Sequence, residues 1–391
     1  MKGKIIKDLL ILDDNQNGCG FSKLDGKPIF IDKALKGDIV DIEIIKKTNK
    51  YYLGKIITFN KKTIREKAYC PYYEKCGGCN LLHVSLDNEI NKKEEYLKKV
   101  FGRNIKINTL DRFNYRNKVV LHVIDNKLGF YKEGTNNLIE ISKCLLLENK
   151  INNVINIFNN YSLNSIKEIT IRTFDDKILI KTIGKINNDL LKQLIKDKDI
   201  ISIYQDELLI YGDKYLECSI NNIKFLVNGN SFFQVNTYCM KKLYEKIKQY
   251  AGKDNKLLDL YCGVASIGIY LSNNFNNITG VEINKDSYNC ALENIKINNI
   301  INYKIILGDS SLVNDKFDVV IVDPPRSGLS KDVINNLLDI KSKKIIYVSC
   351  NPSTLKRDVD LLKNYKIDEM EAFNMFPGTK HIEVVALLKL K

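Results

Sequence analysis

The C-terminal part of the chain alternates short apolar runs with amphipathic runs, and this texture constrains the fold more than any other feature. From residue 226 onward the runs have the lengths of strands and helices that take turns along the chain. Parallel strands need long crossover connections, usually helices, so the alternation predicts βαβ units around a parallel α/β sheet. Open sheets of this kind bind their ligands at the carboxyl ends of the strands. We therefore expect functional side chains directly after the strands.

The first predicted strand of this region, Lys256–Tyr261, runs into a loop that contains Gly263 and Gly268. Glycines at this point let backbone amides approach a ligand closely. A dinucleotide-binding loop would carry the full G-x-G-x-x-G pattern, which is incomplete here because Ala265 stands where a glycine is expected. S-Adenosylmethionine has no pyrophosphate and needs less from this loop. The loop therefore favours S-adenosylmethionine, bound partly through Gly263, over a dinucleotide.

Acidic residues end the next two predicted strands. Glu282 lies at the end of Ile278–Ile283, and Asp309 lies at the end of Ile305–Asp309. A carboxylate about twenty residues beyond the glycine loop is typically placed to accept the hydroxyls of a ribose. The second carboxylate is placed to accept the adenine amino group. Both positions fit an adenosyl cofactor.

A proline-rich acidic turn, Asp323-Pro324-Pro325-Arg326, follows the predicted strand Phe317–Val322. Methyltransferases that act on exocyclic amines place an aromatic side chain after such a turn to stack the base. Here that position holds Arg326, a fixed cation that can polarise a carbonyl group. An exocyclic amine is therefore disfavoured as the target.

A thiol and a carboxylate near the C-terminus complete this set. Cys350 follows the apolar run Ile345–Val348, and Glu383 precedes the last apolar run. Singly, a cysteine at a strand end is usually a core residue and a lone glutamate is usually solvated. Together with Asp323 and Arg326 they indicate covalent catalysis on a planar ring, with a thiolate as the nucleophile.

Three of the cysteines lie close together, because Cys70, Cys76 and Cys79 form a C-x5-C-x2-C pattern. Cys144 is the best-placed fourth ligand, since it follows a loop and precedes an apolar run. The set fits a [4Fe–4S] cluster or a four-thiolate zinc site, with unligated thiols as a third possibility. The long gap to Cys144 and the proline beside Cys70 favour the cluster.

The remaining sequence divides into two further regions, so that three domains are expected. Residues 1–60 show short apolar runs broken by turn signals, which predict a small OB-like antiparallel β-barrel. Residues 61–225 combine the cysteines, a charged helix over Leu86–Phe101 and several strands, which predict a central α+β iron–sulfur domain. Residues 226–391 then form a Rossmann-like methyltransferase domain.

The formal net charge of +14 fits a polyanionic partner such as RNA, or merely solvated basic faces. Tyr51 and Tyr52, among lysines, fit either a base-stacking platform or packing inside the barrel. Arg116 and Lys118 fit either phosphate contacts or solvated charges on an edge strand. No apolar run is long enough to span a bilayer, so we expect a cytoplasmic protein without a membrane partner, acting as a monomer.

Five motifs, in this order, resemble the TrmA/RumA-type RNA uracil-C5-methyltransferase family. They are Phe232-Phe233-Gln234-Val235-Asn236, Asp259-Leu260-Tyr261-Cys262-Gly263, Asp323-Pro324-Pro325-Arg326-Ser327-Gly328, Ser349-Cys350-Asn351-Pro352 and Phe376-Pro377-x-Thr379-x-His381-x-Glu383. The N-terminal barrel resembles a TRAM domain, and the four cysteines match the [4Fe–4S] site of the ribosomal RNA branch. The tRNA branch typically lacks both elements.

The resemblance implies roles for individual residues. Cys350 is the nucleophile and Glu383 removes a proton, while four residues contact S-adenosylmethionine, namely Gln234, Tyr261, Glu282 and Asp323. The implied substrate is 23S rRNA, with a tRNA enzyme and a dual-site rRNA enzyme as alternatives. Two other classes stay open. A non-catalytic RNA chaperone would not need Cys350 and Glu383, and a cytosine-carbon-5 enzyme usually carries its thiol in a Pro-Cys context.

Overall fold

The computed structural model describes residues 3–231, 233–313 and 315–391. The chain divides into two compact units. The first contains Met1–Asn104 and Phe376–Lys380, and the second contains Ile105–Met375 and His381–Lys391.

The first unit is built on a six-stranded sheet in the order β1-β5-β6-β4-β3-β2. Its strands are β1 (Ile5–Leu10), β2 (Asp13–Asp14), β3 (Cys19–Leu24), β4 (Lys27–Asp32), β5 (Ile39–Lys47) and β6 (Tyr52–Lys61). The strand pairs are antiparallel except for β4 with β6, which run parallel. This confirms the predicted small antiparallel β-structure and adds one parallel pair.

Strict alternation builds the core of this sheet. Every second residue of β5 from Val40 to Ile44 is buried, as expected for a strand with one face on a core. Tyr52 belongs to this core and is 2% exposed, so it packs the interior. Tyr51 is half-buried and lies edge-on against the ring of Phe30, with ring centroids 6.0 Å apart.

The predicted charged helix is confirmed as α1 (Leu86–Phe101). The side chain of Ser85 caps its first turn, and Gly102 ends it in the left-handed conformation with a φ of 69°. Glu89 and Lys93 form a fully buried ion pair on this helix, with 2.8 Å between Nζ and Oε1. Both carboxylate oxygens of Glu89 also accept the N–H of Gly378, at 3.1 and 3.0 Å. A side chain of helix α1 therefore binds the backbone of the predicted C-terminal motif at Gly378.

The second unit contains the remaining strands and helices. Its strands are β7 (Ile107–Asn108), β8 (Lys118–Ile124), β9 (Lys127–Tyr131), β10 (Leu138–Glu140), β11 (Ile166–Phe174), β12 (Lys177–Gly184), β13 (Ile200–Gln205), β14 (Leu208–Gly212), β15 (Leu216–Ile220), β16 (Ile223–Val227), β17 (Asp254–Leu260), β18 (Phe275–Glu282), β19 (Tyr303–Leu307), β20 (Val319–Val322), β21 (Lys344–Ser349), β22 (Tyr365–Phe373) and β23 (Glu383–Leu390). Its helices are α2 (Asn149–Asn159), α3 (Asn188–Leu194), α4 (Thr237–Ala251), α5 (Ser266–Tyr270), α6 (Lys285–Ile297), α7 (Lys331–Ile340) and α8 (Pro352–Leu361), with a 3-10 turn at Ser272–Asn274.

One sheet of this unit has seven strands in the order β10-β9-β8-β11-β12-β13-β14. Helix α2 packs against α3 and against β9 and β11, and its buried side chains include Ile151, Val154 and Phe158. Strand β8 lies between β9 and β11, so it is an interior strand. The interpretation of Lys118 as a solvated charge on an edge strand is therefore wrong. The sequence could not show this, because it does not reveal the order of the strands.

The other large sheet of this unit has eight strands in the order β19-β18-β17-β20-β21-β23-β22-β7. Strands β17 to β21 pair in parallel, which confirms the predicted βαβ texture. Strand β23 runs antiparallel to β21 and β22. Strand β20 (Val319–Val322) reads as a continuous apolar run because both of its faces are buried.

Polar side chains begin most of the helices of this unit. Each accepts a backbone N–H of the first turn, as an N-cap residue does. These residues are Asn187, Asn236, Asn284, Ser330 and Asn351. Within the described residues, no helix combines the length and apolar character needed to cross a membrane.

Candidate active site

The motif residues of the eight-stranded sheet gather at one edge. Parallel strands bring their carboxyl ends to the same edge, and an antiparallel strand brings its amino end there. These residues are Tyr261 and Gly263 after β17, Glu282 at the end of β18, Asp309 after β19, Asp323 after β20, Cys350 after β21 and Glu383 at the start of β23. The sheet alone therefore brings together the residues predicted from widely separated motifs.

Cys350 and Glu383 face each other across neighbouring strands. The antiparallel register pairs Ser349 with Val384, so the next position along each strand holds the thiol and the carboxyl group. The pKa of the Cys350 thiol is raised to about 11, first by desolvation and then by the negative charges of Glu383 and Asp323, while Arg326 opposes the shift. The thiol therefore interacts electrostatically with the other three predicted catalytic residues.

Glu383 is 7% exposed and lies at the start of β23. Burial raises the pKa of its carboxyl group well above the usual value, and the nearby charge of Asp323 raises it further, whereas Arg326 opposes the shift. A carboxyl group in this environment favours its protonated form. Once deprotonated, it is a stronger base than a solvated glutamate, which suits removal of a proton from carbon.

Asp323 begins the turn after β20 and carries a second perturbed carboxyl group. Desolvation raises its pKa to about 7, and the charge of Asp259 adds to this shift. Asp323 therefore changes its charge near neutral pH. Asp323, Glu383 and Cys350 share one desolvated region, so it is unfavourable for several of them to carry a negative charge at the same time.

Arg326 lies on the exposed side of the same turn. One guanidinium nitrogen is 3.4 Å from Nε2 of His381, a residue of the C-terminal motif. The backbone oxygen of Arg326 accepts from Asn351 Nδ2 at 3.1 Å and from Thr354 Oγ1 at 3.4 Å. The turn that carries the cation is thus bound to the start of α8, next to the thiol.

Asp358 on α8 supports this turn and was not predicted from the sequence. Its buried carboxylate accepts from Leu329 N at 2.8 Å, from the Tyr347 hydroxyl at 2.6 Å and from Arg357 Nε at 2.8 Å. It links the proline-rich turn to β21 and α8. Nothing in the spacing of the sequence marks this aspartate, because Leu329 and Tyr347 come from other elements.

The loop after β17 has a strained backbone. Tyr261, Gly263 and Ala265 all have positive φ angles of 60°, 55° and 65°. A residue with a side chain pays roughly 1–2 kcal/mol for this conformation. Ala265 therefore adopts the backbone conformation that a glycine would reach freely, and backbone strain of this kind is typical of functional loops.

Glu282 holds this loop. One oxygen accepts Gly263 N at 2.8 Å, and the other accepts Asn284 N at 2.7 Å. A carboxylate has about four acceptor positions, so two remain beyond these hydrogen bonds. The same hydrogen bonds fix the direction of the carboxylate toward the loop.

Asp259 lies in β17, just before the loop, and the sequence predicts no role for it. Its Oδ2 accepts Gly268 N at 3.1 Å and the Tyr303 hydroxyl at 2.7 Å. Burial raises the pKa of this carboxyl group to about 6. A Cβ at Gly268 would lie 2.5 Å from the Tyr303 ring, so only glycine fits there. Gly268 of α5 therefore allows close packing between this helix and β19.

Tyr261 and Asp309 lie near each other. Desolvation raises the pKa of the Tyr261 hydroxyl to about 12, with the charge of Asp309 and a hydrogen bond to Ser310 as further influences. Asp309 accepts from Ser311 N at 2.9 Å and from its hydroxyl at 2.6 Å, which lowers the pKa of the carboxyl group. The acid predicted to accept an adenine amino group thus stays ionised.

Gln234 lies in the segment before α4. Its backbone oxygen accepts Asn117 Nδ2 at 3.3 Å, and Asn117 N donates to Val235 O at 2.9 Å. Asn236 caps α4 and donates from Nδ2 to Met375 O at 3.1 Å. The segment is therefore fixed on two sides. Phe232 of the same motif lies outside the described residues.

The cysteine loop belongs to the first unit. Cys76 N donates to Tyr72 O at 2.7 Å, and Gly78 N donates to the Cys76 sulfur at 3.4 Å. Burial raises the pKa of the Cys76 thiol, and the neighbouring charge of Cys70 raises it further. The half-buried Cys79 completes the loop.

Cys144, the predicted fourth ligand, lies in the second unit, where its backbone N–H donates to Asn152 Oδ1 at 2.8 Å. Among the described residues, no group of three or more His, Cys, Asp or Glu side chains is arranged to hold a metal ion. Thiols are suitable donors for an iron–sulfur cluster. The [4Fe–4S] site therefore stays a prediction.

His83 has a structural position. Its Nδ1 is 2.5 Å from the Tyr73 hydroxyl, which also donates to Asn80 O at 2.9 Å. Burial lowers the pKa of His83 to about 3, with the charges of Arg65 and Lys33 as further causes. The imidazole is therefore neutral throughout the physiological range.

Comparison with known proteins gives consistent matches over the whole chain. Residues 171–310 and 307–391 match the model of the tRNA (uracil-5-)-methyltransferase family, and residues 1–57 match that of the TRAM domain. An uncharacterized RNA methyltransferase of Clostridium acetobutylicum is 32% identical over 97% of this chain and 96% of its own length. One from Staphylococcus aureus is 31% identical over 99% of this chain and 98% of its own.

The fold is similar to that of a solved methyltransferase. The tRNA (uracil-54, C5)-methyltransferase of Pyrococcus abyssi, in complex with S-adenosyl-L-homocysteine, superposes with a TM-score of 0.83. It is 27% identical, and the match covers 98% of this chain and 99% of that one. The similarity thus extends over both units.

Proposed function

Because the chain belongs to the tRNA (uracil-5-)-methyltransferase family, we propose that it methylates carbon 5 of a uridine in 23S rRNA through a transient bond to Cys350. The chain is an RNA methyltransferase that uses S-adenosylmethionine. The proposal adds the target atom, the RNA and the covalent step. The observation that carries it is the electrostatic coupling of Cys350, Glu383, Asp323 and Arg326 at one sheet edge.

Carbon 5 of uracil is a weak nucleophile, and the proposed thiol overcomes this. Attack of the Cys350 thiolate on carbon 6 forms a carbon–sulfur bond and turns the ring into an enolate, which makes carbon 5 nucleophilic. Arg326 stabilises the negative charge that develops on the ring oxygen, and Asp323 binds the ring through hydrogen bonds. When bound, S-adenosylmethionine supplies an electrophilic methyl group to carbon 5.

Restoring the ring requires the loss of one proton. After methylation, carbon 5 carries both a methyl group and a hydrogen. The Glu383 carboxylate takes this hydrogen as a proton, the electron pair re-forms the carbon 5–carbon 6 double bond, and the sulfur leaves as a thiolate. The raised pKa of Glu383 makes its carboxylate a strong base for this step.

Six residues are proposed to bind the cofactor. Glu282 accepts the ribose hydroxyls, Asp309 accepts the adenine amino group, and the backbone of Gly263 approaches the ligand closely. The other three are Gln234, Tyr261 and Asp323. The strained loop and the hydrogen bonds that orient Glu282 support this assignment.

A methylation assay tests the chemistry. RNA carrying tritium at carbon 5 of uridine is incubated with the protein and S-adenosylmethionine. We expect release of tritium to water with formation of an equal amount of 5-methyluridine. Methylation without tritium release, or at another atom, would contradict the proposal. A cytosine target would show 5-methylcytidine, and an RNA chaperone would show no methylated product.

The choice of RNA has two candidates. The cysteine pattern and the resemblance to the ribosomal branch favour 23S rRNA. The TRAM domain does not distinguish between the two candidate RNAs. The match to the tRNA enzyme of Pyrococcus abyssi covers 98% of this chain, so it must include most of the N-terminal sheet. The expectation that the tRNA branch typically lacks this domain is therefore no guide here. That match supports tRNA as the second candidate.

Nucleoside analysis of a deletion strain separates the two RNAs. We expect 5-methyluridine to disappear from one or two positions of 23S rRNA and to stay in tRNA. Disappearance from tRNA alone would establish the second candidate. We also propose that the enzyme is a cytoplasmic monomer, so its mass in solution should be close to 45.0 kDa.

We further propose a [4Fe–4S] cluster on Cys70, Cys76, Cys79 and Cys144. The donor types and the N–H to sulfur hydrogen bond at Cys76 support it. The reaction above has no electron-transfer step, so the cluster is a structural and RNA-docking element. Protein purified without oxygen should contain about four iron and four sulfide per chain. One zinc per chain, or no metal, would contradict this proposal.

A further inference from the structure

Three cations lie together on the seven-stranded sheet of the second unit. Lys118 on β8 and Arg172 on β11 are register partners, so their side chains share one face. Arg116 lies just before β8 with its Nε donating to Lys118 O at 3.1 Å. We name Arg116, Lys118 and Arg172 the basic cluster.

The basic cluster has no carboxylate partner. In the part of the chain that the structure describes, none of its three side chains forms an ion pair. Arg172 is 1% exposed, and its Nη2 donates to Ser231 O at 3.0 Å. Its Nη1 is buried and has no hydrogen-bond partner among the described residues. A buried guanidinium nitrogen without an acceptor is costly, so it requires an explanation.

Two acids near the basic cluster contact other side chains. Glu168 on β11 lies 3.7 Å from His122 Nδ1, and Glu207 accepts from Lys181 Nζ at 2.7 Å. The pKa of Lys118 is lowered to about 8, first by burial and then by the charges of Arg172, Arg116 and Lys181, while Glu168 opposes the shift. The positive charges around Lys118 therefore add to the effect of burial on its protonation.

We propose that the basic cluster binds a phosphate of the substrate RNA, with Lys118 and Arg116 as direct ligands and Arg172 as the buried charge behind them. The inference rests on the proposed function, because it takes RNA as the substrate. An anion at this place supplies the negative charge that the protein does not.

Two observations favour RNA over a free phosphate ion. His122 and Tyr131 stack on the same face, with ring centroids 4.1 Å apart and planes 15° apart, and Val120 beside them is 37% exposed. Aromatic and apolar groups beside cations suit a nucleotide, whose base stacks while its phosphate is neutralised. In addition, Arg172 binds Ser231, three residues before Gln234, so the site lies in the same unit as the segment proposed to bind the cofactor.

The first test compares two lysines of neighbouring strands. Lys118→Met should raise the KM for RNA about tenfold, with a much smaller change in kcat, and should reduce the slope of affinity against salt concentration by about one. Lys127→Met is the control, because Lys127 on β9 is exposed and already paired with Glu140 at 3.2 Å. It should leave both quantities unchanged. Thermal unfolding of both variants checks that they fold.

The second test uses the protonation of Lys118. A lysine whose pKa is about 8 loses its charge as the pH rises, so RNA affinity of the unmodified protein should fall between pH 7 and 9. Lys118→Arg stays charged over this range and should keep its affinity. Inorganic phosphate serves as a competitor, and it should weaken RNA binding less in Lys118→Met.

The outcomes separate the two proposals. Unchanged RNA affinity in an active Lys118→Met protein, or the same fall with pH in Lys118→Arg, would overturn the phosphate site and leave the methylation proposal intact. Absence of uridine methylation by the unmodified protein would overturn the proposed function instead. Equal competition by phosphate in both proteins would place the anion site elsewhere.

Discussion

The two sites expected from the sequence differ in how the fold fixes them. At the sheet edge, the positions of Cys350 and Glu383 follow from strand register, since Cys350 comes one residue after Ser349 and Glu383 one residue before Val384, the register partner of Ser349. The cysteine loop lies between β6 and α1, outside the strands and helices, and the fourth candidate, Cys144, belongs to the other unit. A site built on strand ends is thus defined by backbone hydrogen bonds, whereas a thiol site depends on what the thiols bind.

This difference is also one of electrostatics. The sheet edge places Asp323 and Glu383 near a thiol, and the pKa of each group is raised because burial and mutual repulsion disfavour negative charge. Repulsion between negative charges and their removal from water make such a site unfavourable until a substrate binds. Shifted pKa values of this kind are common in active sites. The cysteine loop contributes mainly to structure and RNA binding under our proposal. Mutations at the edge should therefore affect chemistry, and mutations in the loop should affect RNA affinity.

The largest effect is expected at the nucleophile. Cys350→Ala should lower the methylation rate by at least about a thousandfold, because the ring cannot be activated without the thiolate. Its affinity for S-adenosylmethionine, measured by calorimetry, should stay within twofold. Methylation at more than a tenth of the normal rate would remove Cys350 from the mechanism and end the contrast between the two sites.

The general base is expected to come next. Glu383→Gln should slow turnover about 10²- to 10⁴-fold, because the proton on carbon 5 has no acceptor. The thiol can still add to the ring, so a covalent complex of protein and RNA should accumulate on denaturing gels. A slow enzyme that accumulates no complex would place Glu383 before the covalent step.

The raised pKa of Asp323 tests the electrostatic difference between the sheet edge and the cysteine loop. Its folded-state pKa of about 7 exceeds the ordinary aspartate value, so the folded state binds more protons than the unfolded state between about pH 4 and 7. The free energy of unfolding therefore falls as the pH rises through this range. Asp323→Asn removes this dependence and should melt at a higher temperature than the unmodified protein at pH 8, but not at pH 4, while activity falls.

Melting curves at both pH values decide this prediction. Asp318→Asn is a suitable control, because the pKa of Asp318 is lowered by its hydrogen bonds to Lys343 and Lys256. It should lose stability at pH 8 instead of gaining it. Equal melting temperatures for Asp323→Asn and the unmodified protein at pH 8 would show that Asp323 is not destabilising.

The smallest effect on chemistry is expected in the cysteine loop. Cys70→Ala should lose bound iron and weaken RNA binding about tenfold, because the loop loses its ligand and its order. The rate at saturating RNA should change by less than a factor of about three. A collapse of that rate with unchanged RNA affinity would mean that the loop takes part in the chemical step.

Much of the fold could be predicted because local pattern and tertiary structure agree. Alternation in β5, capping of α1 and apolar runs in β17 to β21 all appear in the sequence. Most of the motif residues could be predicted because they lie at or just beyond the end of a strand. Pairings between distant residues could not. The hydrogen bond from Tyr303 to Asp259 joins two strands that only the sheet order brings near each other.

Interior and edge strands are equally hidden in the sequence. Lys118 reads as a basic residue on an alternating strand, and nothing local shows that β8 lies between β9 and β11. Asp358 is similarly silent, because its three partners come from other parts of the fold or from packing within α8. Strand order and burial decide the roles of such residues, and both are properties of the assembled chain.

Trapping with a fluorinated RNA tests the proposed bond to Cys350 most directly. The protein is incubated with S-adenosylmethionine and RNA that contains 5-fluorouridine, whose fluorine cannot be removed as a proton, and the product is digested and analysed by mass spectrometry. We expect a peptide carrying a methylated fluorouridine on the sulfur at position 350. Methyl transfer to the RNA without any adduct, or an adduct on a different cysteine, would contradict it.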